Sequence, residues 1–142
     1  MTASSHFHFE YDAESRIFAV RMRGIITDKI FKDCYTETPR HVRGRDIRAA
    51  LMDLSDVERY DVSAAAVRDV SRLAPLFPDP TPRWVIAPQD HIFGMARMFQ
   101  MTSPAGRNML RIVRSMADAY AALGVTTPHF ERLPDVVELN GT

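Results

Sequence analysis

The chain is predicted to fold as a single-domain open α/β sheet, with an N-terminal antiparallel hairpin followed by mostly parallel strands joined by crossover helices. Three observations carry that prediction. The opening stretch His6 to Tyr11 alternates polar and aromatic residues, and a second strand pattern, Ile17 to Arg23, follows one short turn later. Beyond it, short apolar runs (Ala49 to Met52, Arg83 to Ala87, Met109 to Val113) alternate with helical periodicities. Each helical segment also begins at a side chain able to accept from the free amides of a first turn.

In chain order, Phe7, Phe9 and Tyr11 fall on the covered face of the first strand, and Asp12 to Ser15 supply the turn. His6 and His8 share the other face. Two imidazoles two apart can converge on a metal, but no carboxylate or thiolate completes a set nearby, so they read as a solvated strand face. Gly24 to Asp28 lead into a helix capped by Thr27 and running to about Thr38, where Pro39 ends it. Cys34 falls in its apolar stripe and reads as an inert core thiol. The basic stretch from Pro39 to Arg48 reads as a solvated connecting loop.

The centre of the chain is Arg48 to Phe77. A buried strand, Ala49 to Met52, is expected to end in the polar turn Asp53-Leu54-Ser55-Asp56. A helix with Ser63, or less favourably Asp61, as its cap then places Ala66, Val67, Val70, Leu73, Ala74 and Phe77 on one face. The free amides and dipole of that helix start would stabilise an anion on or near Ser63. Four prolines between Pro75 and Pro82 make an extended connector, and Arg83 to Ala87 form the next strand. Asp90 caps a helix from Ile92 to about Ser103 that is apolar almost all round. The surplus, Phe93, Met95, Met98, Phe99 and Met101, fits a homodimer contact, an apolar ligand or a peripheral membrane contact, unless loops and the tail cover it. After a loop and a short strand, Ser115 and Asp118 form a capping box for the last helix, which Gly124 ends. The domain is thus expected over residues 1–124, with 125–142 as a C-terminal tail of no clear period.

The motif Asp53-Leu54-Ser55, with Val57 and then Asp61-Val62-Ser63, resembles the signature of the STAS domain, the anti-sigma-factor antagonist fold. His91 to Met98 and Leu110 to Ala119 resemble its SpoIIAA-like branch of small stand-alone domains. The resemblance runs from about His6 to Leu123, with Val62 in place of the family's first serine and Ala64 in place of its glycine. It implies a non-catalytic regulatory domain that acts through a protein partner and is switched by phosphorylation at Ser63, with Asp61 beside it. The methyl group of Ala64 counts against close approach of a partner's backbone there.

Composition narrows the function classes. At 142 residues, with lysine plus arginine equal to aspartate plus glutamate at 18 each, the chain carries no global field toward nucleic acid. One cysteine excludes an internal disulfide, and no leader or membrane-length apolar run is visible, so a cytoplasmic location is expected. The carboxyl ends of the strands should gather Thr27, Asp53, Ser55, Asp90 and His91 into a polar edge. That edge lacks a hydrolase serine motif, a phosphate-binding glycine loop and metal-ligand spacing, so no cofactor is expected. An enzyme built on Asp61, Ser63 and His91 is the disfavoured reading. A binding domain for an apolar ligand or membrane lipid, using the helix from Ile92 to Met101, is the alternative to the regulatory one.

Overall fold

The turn after the first strand shows how local chemistry starts the fold. Asp12 Oδ1 accepts from the amides of Glu14 (3.0 Å) and Ser15 (3.2 Å), and Arg16 takes a left-handed conformation (φ 59°) that closes a four-residue loop. The strands it joins, β1 (Phe7–Asp12) and β2 (Ile17–Thr27), pair antiparallel from Asp12 with Ile17 to Phe7 with Met22. The computed structural model describes residues 6–73, 76–77, 81–102 and 110–134.

From β2 the chain enters α1 (Asp28–Val42), capped as expected by the Thr27 hydroxyl, which accepts from the Ile30 amide. The helix does not stop at Thr38. It continues through Pro39 for another turn, closed by Arg43 N–H donating to the Pro39 carbonyl. An interior proline forfeits a hydrogen bond and crowds the preceding turn, at a cost of about 3 kcal/mol. The buried imidazole of His41, stacked on Phe9 with ring centroids 4.3 Å apart, holds that last turn on the core. The basic stretch is correspondingly used by the fold. Arg45 Nε donates to the His41 carbonyl and its guanidinium lies over Tyr11, while Arg48 Nε donates to the Ser15 carbonyl.

The central strand departs furthest from expectation. β3 runs from Ala49 to Asp61, so Asp53-Leu54-Ser55-Asp56 lies inside a strand and is not a turn. β3 pairs parallel with β2, and its register slips between the pairs Arg21–Asp53 and Arg23–Asp56 and again between Gly24–Val57 and Ile25–Arg59. Each slip inserts one extra β3 residue, bending the strand while keeping Leu54 and Val57 buried. Gly24, at φ 77°, supplies the backbone conformation β2 needs beside the second slip.

The remaining elements are α2 (Ala64–Ser71), β4 (Arg83–Ile86), α3 (Asp90–Thr102), β5 (Leu110–Val113), α4 (Met116–Leu123) and β6 (Glu131–Arg132). The strand order is β5-β4-β3-β2-β1-β6, with β2 to β5 parallel and both β1 contacts antiparallel. The hairpin followed by parallel strands is therefore the architecture present. α2 ends at Ser71 and leaves Leu73 exposed, so the apolar periodicity toward Phe77 is only partly helical. Ala74, Pro75, Pro78 to Pro80, Ser103 to Met109 and residues 135–142 lie outside the described residues.

The two faces of the sheet are covered unequally. α1, α2 and α3 pack on one face over Phe18, Val20, Met22, Leu54 and Val85. On the other, α4 and the segment from Val125 to Phe130 cover Ile17, Ala19, Ala49 and Leu51. Ser115 Oγ accepts from Asp118 N–H and Gly124 is left-handed, so both expected signals of α4 are used. Residues 125–134 pack on the domain, with β6 beside β1, the His129 amide donating to Asp12 Oδ2 (2.9 Å), and Phe130 stacked on Tyr120.

Candidate functional site

Three separate places hold the residues singled out from the sequence. The first is the start of α2. Ser63 is its N-cap, with Oγ accepting from the Ala66 amide at 3.1 Å. Asp28, the first residue of α1, then grips Ser63 with both oxygens: the Ser63 amide donates to Oδ1 (2.6 Å) and the hydroxyl donates to Oδ2 (2.8 Å). Those two hydrogen bonds hold the Asp28 carboxyl below its usual range. Asp61, the other cap candidate, turns away and accepts from Arg59 Nε at 2.7 Å. Asp28 as the partner of Ser63 was missed from the sequence, since 35 residues separate two helix starts that only the parallel β2–β3 pairing brings together.

The second place is the polar edge. It is distributed over several contacts and is not one cluster. Thr27 is consumed by capping α1. Asp90 is the first residue of α3, and its carboxylate accepts from Arg114 NH1 (2.6 Å), whose guanidinium also covers the Phe93 ring at 4.1 Å. The His91 ring lies 3.3 Å from the Glu58 carbonyl, and Gln89 Nε2 donates to the Val57 carbonyl (3.0 Å). These two side chains meet the edge of β3 where it extends beyond β4. Asp61, Ser63 and His91 thus engage three different partners.

Asp53 and Ser55 do meet, on the sheet face beyond α4. Asp53 Oδ1 accepts from the amide (3.0 Å) and hydroxyl (2.5 Å) of Ser55, which fixes the first bulge of β3. Asp53 Oδ2 accepts from Arg21 NH1 (2.6 Å), and Arg21 Nε donates to Glu10 Oε1 (2.9 Å). Glu10 Oε2 lies 2.6 Å from His8 Nε2, and His8 Nδ1 lies 3.0 Å from Arg23 NH1. Burial raises the Glu10 carboxyl, and the bonds from His8 and Arg21 outweigh it, leaving it below its ordinary value. His8 is therefore hydrogen-bonded into a network of charged side chains and is not an open strand face. Strand alternation put His8, Glu10 and Arg21 on one face, but nothing local tied them to Asp53.

The third place is apolar. A cavity of about 270 Å³ lies between the sheet and α1, α2 and α3. Val20 and Leu54 form part of its floor, Val67 and Val70 of α2 one wall, and Met95, Ala96, Met98 and Phe99 of α3 another. The helix from Ile92 thus divides its apolar residues in three ways: Ile92 is fully buried, Met95 to Phe99 line the cavity, and Met101 is exposed together with part of Met98. Phe93 lies under Arg114 instead. Polar groups at the walls include Tyr35 and Tyr60, whose phenols burial pushes above their ordinary range, so they remain neutral donors. Cys34, buried beneath, has its thiol pushed up to about 12 by burial, which suits an inert core residue.

Among the described residues no group of three or more metal-ligating side chains converges, and no helix is long and apolar enough to cross a membrane. No family model matches the chain, and no curated protein matches it. Solved structures do. The chain is similar to a protein of the DUF3478 family with a SpoIIAA-like fold from Shewanella loihica, with a TM-score of 0.55 and 16% identity over 87% of this chain and 98% of that one. It also aligns with the phosphorylated form of the Bacillus cell fate determinant SpoIIAA, at a TM-score of 0.45 and 11% identity over 82% of this chain and 98% of that one. Strand order, the hairpin start and the first of these likenesses agree: the chain has a STAS/SpoIIAA-like fold.

Proposed function

We propose that the protein is a non-catalytic binding domain of the cytoplasm that takes an apolar ligand between the sheet and α2 and α3. The observation that supports this reading is the cavity itself. At about 270 Å³ it approaches the lower end of small-molecule sites, about 300 Å³, and its walls are mostly apolar, with the hydroxyls of Tyr35, Thr38 and Tyr60 and with Arg68 and Arg83 among the lining residues. The space is partly open to solvent, so a ligand that enters it removes apolar walls from water. The methionines of α3 can repack around ligands of different shape.

The test uses an anilinonaphthalene sulfonate dye and its displacement by a medium-chain fatty acid. Ala96→Trp, which fills the cavity from the α3 wall, is expected to weaken dye and fatty-acid binding at least about tenfold while the far-ultraviolet dichroism is unchanged. Ile25→Ser removes an apolar side chain exposed on another surface and should leave both affinities as they are. Equal binding by the Ala96→Trp variant and the wild type would refute the cavity reading. Fatty acid bound only as vesicles, through exposed Met98 and Met101, would make a peripheral membrane contact the better description. Dimerisation that disappears on Met101→Glu would assign the same surface to a second copy.

A second reading is favoured by the start of α2: a regulatory domain that binds a protein partner, switched at Ser63. The Ser63 hydroxyl is exposed, at the positive end of a helix, and bonded to a carboxylate. A phosphate there would remove the proton Asp28 accepts and set two negative groups side by side, breaking the tie between the starts of α1 and α2. Protein purified from its own host is expected to carry a phosphate increment on Ser63 that Ser63→Ala abolishes, and partner binding should differ between Ser63→Asp and Ser63→Ala. Identical partner binding by the two variants and the wild type would end this reading.

A further inference from the structure

The side chain of His8 stands between one group that can only accept and one that can only donate. Glu10 Oε2, a carboxylate oxygen, is 2.6 Å from Nε2, so Nε2 carries a proton and donates. Arg23 NH1, a guanidinium nitrogen, is 3.0 Å from Nδ1, so Nδ1 is bare and accepts. The two contacts together require the neutral imidazole in a single tautomer, with an arginine held by its lone pair. The ring is 16% exposed, which limits the water available to replace either partner.

We propose that His8 is a proton-operated latch for Arg23. Neutral, its Nδ1 lone pair holds the guanidinium; when Nδ1 takes a proton from solvent, two donors and two positive charges face each other, and Arg23 leaves. No other bond changes. The Nε2–H···Glu10 contact becomes an ion pair and persists. The charged surroundings can absorb the change: Arg21 is in register with His8 on β2, Asp53 and Asp56 are in register with Arg21 and Arg23 on β3, and Arg132 is in register with Glu10 on β6. From α4, Tyr120 bonds Arg21, and His6 stands two residues before His8. Asp56, exposed and opposite Arg23, offers the freed guanidinium another carboxylate. Histidine is the side chain suited to do this between about pH 5 and 8, so the charge around His8 and Arg23 would follow acidity. The latch is independent of the cavity and of Ser63.

The test is nuclear magnetic resonance on the ¹⁵N-labelled full chain, titrated from about pH 8 to 5. Long-range proton–nitrogen correlations are expected to show a bare Nδ1 and a protonated Nε2 for His8 at the upper end. The Arg23 Nε–H signal should then move with the His8 midpoint and exchange with water at least threefold faster below it, while backbone signals stay dispersed. In His8→Gln the response of Arg23 should vanish. The opposite tautomer, or an Arg23 signal indifferent to the protonation of His8, would each overturn the latch.

Discussion

Arg21→Met is expected to lower the unfolding free energy by about 3 kcal/mol and the melting temperature by about 10 °C, measured by urea and thermal unfolding at neutral pH. Among the described residues, Arg21 is the cation that pairs with both Glu10 and Asp53, whose side chains are 15% and 11% exposed. A methionine fills much of the same space beside Phe130, so the loss is electrostatic: two partly buried carboxylates lose their shared cation. The asymmetry can be checked directly. Adding Glu10→Gln and Asp53→Asn to Arg21→Met should recover a large share of the lost stability, because no unpaired charge is left.

The pH dependence has a definite sign. In the wild type the folded-state acidity of Glu10 lies below its unfolded value, so its contribution is present above the unfolded value and lost as pH falls through the folded one. Without Arg21, burial is opposed only by His8, and the carboxyl of Glu10 shifts upward. The stability gap between variant and wild type should therefore narrow as pH falls, first through the raised value of the variant and then through the lowered value of the wild type. A gap of constant size across that range would mean that Arg21 acts by packing and not by charge.

This network also marks where the sequence stopped being legible. Most local signals were used: Thr27, Ser63 and Ser115 cap their helices, Gly124 ends one, and the hairpin was visible from alternation and a short turn, whereas Asp90, expected as a cap, is the first residue of α3 and pairs with Arg114. The stretch Asp53 to Asp56 read as a turn because two aspartates and a serine inside a central strand are costly alone. Arg21, 32 residues earlier, removes that cost by pairing with Asp53, and Ser55 turns to the same carboxylate. The extension of α1 past Pro39 likewise rests on Phe9, and Asp28 reaches Ser63 through the pairing of β2 with β3. The apolar surplus of the helix from Ile92 was readable as an excess. Its division between core, cavity wall and exposed surface depends on how α2 and α3 stand over the sheet, which no periodicity encodes.

Asp12→Ala is expected to cost about 2–3 kcal/mol and to loosen the C-terminal segment before the rest of the domain. Asp12 is 1% exposed and accepts from three amides, Glu14 and Ser15 of its own turn and His129 of the segment after α4. Water can reach the exposed turn at Glu14, so the full penalty of three orphaned donors does not apply. The contact to His129 is different in kind. It joins residues 117 apart and fixes the chain between Phe130, packed against Tyr120, and the end of α4. Hydrogen exchange should therefore quicken at Val125, Phe130 and Leu133, whose amide donates to the Phe9 carbonyl, by more than it does in β2 and β3. Asp12→Asn, with one acceptor oxygen, should lie between the variant and the wild type. Burial raises the Asp12 carboxyl, but the amides of His129 and Ser15 outweigh it and hold it low, so its contribution holds above the unfolded value and is lost as pH falls through the folded one. The wild type should then shed more stability than Asp12→Asn on acidification, and exchange that quickens uniformly across the sheet would show that Asp12 supports the whole fold rather than this segment.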